Sequence, residues 1–181
     1  MSSADQGHYS VGLDKTAANY VPLSPLSFLA RSAAVYPDLT STVYEDHRFT
    51  WRQTYDRSRR FASFLSGRGI GRGDTVAAIL PNVPAMNELH FAVPMLGAVL
   101  NTLNTRLDAP TIAFMLDHGG AKVLLVDPEF AGVVADALAQ MSGPKPAIVD
   151  VDDDNFPGVR KSLGEIEYEA AVAGGDPEFA W

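Results

Sequence analysis

Several groups of residues in this 181-residue sequence have types and spacings that could do chemistry. The run Gly67-Arg-Gly-Ile-Gly-Arg-Gly73 could let backbone N–H groups close in on a phosphate. A phosphate loop, however, leaves a buried strand and opens a helix, whereas this run follows a helical stretch and leads into a strand, so it reads as a helix-ending turn. Asp150, Asp152, Asp153 and Asp154 offer oxygen ligands for a divalent cation but lack the Gly and distal Glu of a calcium loop, and read as a solvated loop. His8, His47, His90 and His118 show neither metal-ligand spacing nor a nucleophile–base signature. His90 falls beside Met86, Leu89 and Val93 on a helix face, where a packed, hydrogen-bonded imidazole is expected; His118 ends a helix, where its cation suits the dipole. There is no Gly-x-Ser-x-Gly elbow, so hydrolase chemistry has no support, and no Gly-x-x-x-x-Gly-Lys-Ser/Thr loop, so a complete nucleotide site is absent by motif. One stretch is placed to bind a ligand. Asn101-Thr-Leu-Asn-Thr-Arg106 leaves the carboxyl end of a strand, where ligands gather in open α/β sheets, and Arg106 could meet a phosphate or carboxylate there or simply anchor the loop.

The elements that must position these residues follow from periodicity. Residues 1–24 are polar and irregular and are expected to form a surface arm. Leu26, Leu29, Ala30, Ala33 and Ala34 recur at helical spacing between Pro25 and Tyr36, and Pro37 ends the run. Thr42-Val-Tyr-Glu and Arg48-Phe-Thr flank a polar turn and predict a short hairpin. Thr50 and Gln53 fit a capping box for a helix whose apolar stripe is Trp51, Tyr55, Phe61, Ala62 and Leu65. Strands are then expected at Thr75–Leu80, Ala98–Leu103, Val123–Asp127 and Ala147–Val151, separated by helices capped by Asn82 and Asp108 and by one over residues 129–141. A last helix is expected from Ser162 to Ala173, then an exposed Phe and Trp in a loop. Alternation of this kind predicts an α/β fold, a parallel sheet with helices on both faces, plus the N-terminal hairpin. The expected divisions are an arm over 1–24, an α/β subdomain over 25–175, and a truncated linker over 176–181.

Composition narrows the function classes. Hydrophobic residues make up 46% of the chain, enough for a sizeable core, and 22 acidic against 14 basic side chains give a net charge of −8, the wrong sign for gripping a phosphate backbone. The excess negative charge lies wholly beyond residue 127. With no Cys, disulfides and thiolate chemistry are excluded; with no leader-like start and no long apolar run, no membrane span is expected and the location expected is cytoplasmic.

The order Pro25-Leu-Ser-Phe-Leu, Phe49-Thr-Trp51, then Gly71-Arg-Gly-Asp-Thr-Val-Ala-Ala-Ile-Leu-Pro-Asn82 resembles the opening of adenylate-forming enzymes. Gly97-Ala-Val-Leu-Asn-Thr-Leu-Asn-Thr-Arg-Leu-Asp108 followed by Ile112-Ala-Phe-Met-Leu-Asp-His-Gly-Gly120 is similar to short- and medium-chain acyl-CoA ligases, and the likeness covers roughly residues 12–181. The resemblance implies a two-step reaction: a carboxylate, such as a fatty acid, attacks the α-phosphate of ATP with Mg²⁺ offsetting charge, then the thiol of coenzyme A displaces AMP. It also implies that the family's phosphate loop, nucleotide motifs and catalytic Lys come after these residues, so that the chain binds ATP weakly or not at all and forms no adenylate alone. By the same resemblance Thr105 and Arg106 lie near the coenzyme A nucleotide; no catalytic or metal-binding residue is carried over. The alternatives are a free-standing non-catalytic α/β binding or interaction module, and a flavodoxin-like signalling domain, which would need acidic and Thr/Ser positions at strand ends that this chain lacks. A piece taken from a larger core is expected to self-associate through exposed apolar surface.

Overall fold

The computed structural model describes Gly12, residues 14–158 and residues 161–181. The start of the expected arm, with His8, lies outside the described residues. Helix α1 (Pro25–Val35) starts where Ser24 accepts the N–H of Leu26 and Pro25 presets the first turn. Strands β1 (Thr40–Tyr44) and β2 (His47–Thr50) form the expected antiparallel hairpin around Glu45 and Asp46. Thr50 and Gln53 make the full capping box of α2 (Trp51–Gly67), which buries Phe61, Ala62 and Leu65. The glycine run is a turn, as its position demanded: Gly69 and Gly73 take positive φ, Ile70 is buried, and Gly71 donates its N–H to Asp74.

Five parallel strands follow, β3 (Thr75–Ile79), β4 (Val99–Thr102), β5 (Ala121–Val126), β6 (Ala147–Asp150) and β7 (Ile166–Glu167), in the spatial order β4-β3-β5-β6-β7. Between them run α3 (Pro84–Met95), α4 (Ala109–Gly119) and α5 (Ala131–Gln140), the last preceded by a 3-10 turn at Pro128–Phe130, and α6 (Tyr168–Gly174) follows β7. Two cores result. One holds Leu29, Phe61, Leu89 and Tyr168 from α1, α2, α3 and α6 on one face of the sheet; the other holds Ile112, Leu116 and Val134 from α4 and α5 on the opposite face. The α/β sheet with helices on both faces is therefore as expected. The winding reverses between β3 and β5, because β4 lies to one side of β3 and all later strands to the other.

Three local expectations are corrected. Asn82 does not cap α3; Val83 takes the cap position without a side-chain bond, because Pro84 holds the first helical residue and has no N–H to satisfy. The stretch expected as one helix from Ser162 is instead a turn, the strand β7 and only then α6. The cause is Asp150, whose carboxylate accepts the Ser162 hydroxyl and the N–H groups of Leu163 and Gly164, folding that stretch against β6 so that Ile166 pairs with Val149. Asp150 is thus buried and engaged, not part of a solvated loop.

Of the final aromatics Trp181 is exposed as expected, but the residues before it are tied down. Phe179 is half-buried against the first core, Arg59 donates to its carbonyl, Arg60 donates to the carbonyl of Gly175, and Asp176 donates its N–H to Ser63. This strap passes so close to α2 that a Cβ on Gly175 would lie 2.1 Å from the carbonyl oxygen of Arg60. Gly175→Ala is therefore expected to lift the strap and destabilise the fold by about 1–3 kcal/mol, the usual range for overpacking. Thermal melting beside hydrogen exchange of residues 175–181 checks it; an unchanged melting temperature with a still-protected strap would contradict the contact.

Candidate functional site

A half-open cavity lies at the carboxyl end of the sheet, with a volume of about 240 Å³. The hairpin supplies Tyr44, His47 and Phe49, the entry to α3 supplies Val83 and Pro84, and the segment after β6 supplies Asp152, Asp153 and Asp154. Arg57, Tyr168 and Glu169 of its wall belong to a charged knot that joins three helices. Arg57 of α2 donates from Nε to Glu88 of α3 at 2.6 Å and from both terminal nitrogens to Glu169 of α6 at 2.6 and 2.7 Å. The Tyr168 hydroxyl donates to the second oxygen of Glu88 at 2.6 Å. The Arg57 guanidinium also lies 5.0 Å from the centre of the Phe49 ring.

Electrostatics follow from burial. Burial pushes the Glu88 carboxyl up, against the pull of the Arg57 charge and of the hydrogen bonds from Arg57 and Tyr168. Burial opposes the Arg57 charge too, but its bonds to Glu169 and Glu88 and their charges outweigh that, so the guanidinium stays protonated. Tyr44 donates to Asp153; that bond, with burial, raises the phenol to about 12. At the end of β5, burial raises the Asp127 carboxyl, which accepts the N–H of Glu129. The arrangement can hold helices in place and put negative charge at the cavity rim. Among the cavity's lining residues there is no Ser, Thr, Cys or Lys.

Sequence reading did not single out Arg57, Glu88, Tyr168 or Glu169. The available signal was Glu88, a carboxylate on the helical face shared by Ala85, Leu89 and Ala92, all of them buried. Thr105 and Arg106 sit in the turn between β4 and α4, at the carboxyl end of the edge strand. Asn104 shapes that turn by accepting the Arg106 N–H at 2.9 Å; the Arg106 side chain is exposed, Thr105 is half-buried, and neither lines the cavity. Asp108 caps α4 by accepting the N–H of Thr111. His90 bonds the Met86 carbonyl from an exposed position, and His118 stacks on Phe114 in the last turn of α4. Among the described residues no three His, Asp or Glu side chains converge as a metal site requires, and no helix is long and apolar enough to cross a membrane.

Known proteins resemble both the sequence and this geometry. The AMP-binding enzyme family matches residues 29–177. An acetate–CoA ligase of Humulus lupulus is 49% identical and a peroxisomal acetate/butyrate–CoA ligase of Arabidopsis thaliana 47% identical, each over 93% of this chain and 32% of the relative. The chain thus spans about a third of the length of the curated relatives it matches. Among solved structures, an anthranilate–CoA ligase bound to anthranoyl-AMP superposes with a TM-score of 0.78 over 92% of this chain and 31% of its own, at 20% identity, a likeness of fold alone. A Mycobacterium tuberculosis fatty acyl-CoA synthetase gives 0.69 at 27% identity over 85% and 29%.

The names correct the expectation of a cytoplasmic location. The acetate/butyrate ligase and the butyrate–CoA and benzoate–CoA ligases of Arabidopsis thaliana, 43–47% identical, are all peroxisomal. Composition reads alike in both compartments, because peroxisomal import relies on a short receptor-read address that leaves no mark on it. The matched residues include both cores, the charged knot and the turn at Arg106, and the chain belongs to the AMP-binding enzyme family.

Proposed function

We propose that this chain forms the first α/β subdomain, residues 25–175 with the strap 176–181, of an ATP-dependent acid–thiol ligase. The ligase would join a small carboxylate to coenzyme A, releasing AMP and pyrophosphate. The observation that carries the reading is the 47–49% identity, across 93% of the chain, to ligases for acetate and butyrate. The peroxisomal names of relatives at similar identity support a peroxisomal location for it.

Within such a ligase these residues would act by positioning. The end of β4 would present Thr105 and Arg106 to the phosphates of coenzyme A, where a guanidinium can engage an anion bidentately. Among the described residues no three carboxylate or imidazole side chains converge on a metal position. The sequence has no phosphate loop, and the charged knot is occupied with its own carboxylates. By this reading the 181 residues alone form no adenylate and hold ATP weakly if at all.

The second reading is a free-standing non-catalytic module. Calorimetric titration of the chain with ATP–Mg²⁺ and with coenzyme A, beside a chimera joining it to the remaining two-thirds of the Humulus lupulus ligase, separates the two. The expected result is no heat with ATP for the chain, and acetate- or butyrate-dependent pyrophosphate release by the chimera. Tight ATP binding by the chain would overturn the assignment of the phosphate site elsewhere, and a folded but inert chimera would favour the module. Sedimentation of the chain alone tests the expected self-association.

A further inference from the structure

The turn between β4 and α4 is pinned at both ends and carries an unpaired guanidinium between them. On the β4 side Leu103 is buried, and its N–H bonds the carbonyl of Ala78 on β3. On the α4 side Leu107 packs against the second core, and Asp108 caps the helix by accepting the N–H of Thr111. Asn104 closes the turn twice. Its side-chain oxygen accepts the Arg106 N–H at 2.9 Å, and its backbone carbonyl accepts the Leu107 N–H at 3.3 Å. None of Asn104, Thr105 and Arg106 takes a positive φ, so the turn depends on these bonds and not on a left-handed residue. The Arg106 side chain is exposed, and among the described residues no carboxylate pairs with it, whereas Arg57 spends all three guanidinium nitrogens on Glu88 and Glu169. With its own N–H held by Asn104, Arg106 offers a ligand its side chain alone.

We infer that Asn104 is a positioning residue for anion binding by Arg106: its carboxamide fixes the backbone from which the guanidinium reaches a phosphate of coenzyme A. The inference rests on the proposed placing of Arg106 toward coenzyme A. A long cationic side chain loses rotamer freedom when it engages an anion, and a backbone ordered beforehand leaves less to be lost on binding. Asn104 touches no ligand in this arrangement and acts through Arg106.

The test uses the chimera with the Humulus lupulus acetate–CoA ligase. Asn104→Ala is expected to raise the KM for coenzyme A about three- to tenfold, the range one neutral hydrogen bond supplies, with kcat and the KM values for ATP and acetate little changed. Asn104→Ser keeps a neutral side-chain acceptor for the Arg106 N–H and should recover most of the loss. Adding Asn104→Ala to Arg106→Ala should raise the KM no further than Arg106→Ala does by itself, because the two act as one unit. In the free chain the Arg106 amide should exchange about three- to tenfold faster in Asn104→Ala. The melting temperature should stay unchanged, since residue 104 is exposed. Additive effects of the two substitutions, an equal rise in the KM for ATP, no recovery by Asn104→Ser, or an unchanged Arg106 exchange rate would overturn the inference. A chimera that turns over with the same coenzyme A KM before and after Asn104→Ala would sink the positioning role and spare the ligase reading. An inert chimera whose affinity for coenzyme A, measured by calorimetric titration, still falls on Asn104→Ala would do the reverse.

Discussion

Arg57→Ala is expected to destabilise the fold by about 3–5 kcal/mol, the usual result of removing one partner from a buried ion pair. The Glu88 side chain is only 2% exposed and would keep a single partner, the Tyr168 hydroxyl, while Glu169 would turn to solvent. The deficit should depend on pH in a stated direction. Burial already holds the folded Glu88 carboxyl above its unfolded value, and losing the guanidinium raises it further. The stability tied to protonated Glu88 is present below the unfolded carboxylate value and is lost as pH rises through the folded one. The variant should therefore lose most relative to the parent at neutral pH and recover part of the difference in acid. Urea denaturation of both proteins at pH 7 and near pH 4.5 measures this; an equal deficit at the two would show that the buried charge is not the cause. Replacing the set together, Arg57→Met with Glu88→Leu and Tyr168→Phe, should restore most of the loss, since an apolar set leaves no group unpaired.

Phe61→Ala is expected to cost about 3–5 kcal/mol, because it opens a cavity in the first core. Phe61 is fully buried in the first core, with its ring centre 4.6 Å from that of Tyr168 and 5.4 Å from that of Phe64. The truncation removes the surface on which Tyr168 leans while that hydroxyl reaches Glu88, so the knot should loosen as well. A double-mutant cycle with Tyr168→Phe measures this coupling. A coupling energy near zero would mean that the ring and the hydrogen bond act independently.

The contrast between these two sites explains what could be read in advance. Phe61 announced itself, being on the apolar stripe of a helix with a recognisable capping box at Thr50 and Gln53. The hairpin, the Asp108 cap and the glycine turn were legible for the same reason, since each is decided by residues within a few positions. Arg57 and Glu88 are 31 positions apart, and either one alone resembles a solvated surface charge. The strand β7 was missed because its two residues carry no periodicity; Asp150 places them through bonds to residues 12–14 positions away. Arg106 was located correctly at a strand end, since topology follows from the alternation of strands and helices.

The strap has a spectroscopic consequence. The chain has two tryptophans; Trp51 opens α2, and Trp181 reaches Tyr55 on the same helix through its indole nitrogen. Both emitters therefore report on one end of a single helix, and neither lies near α4 or α5, which pack on the opposite face of the sheet. Fluorescence will follow the release of that helix end, while far-ultraviolet circular dichroism follows helices on both faces and the sheet. Coincident transitions from the two signals would mean that both faces melt as one unit, and an earlier fluorescence change would mean that the strap and the first turn of α2 open before the rest.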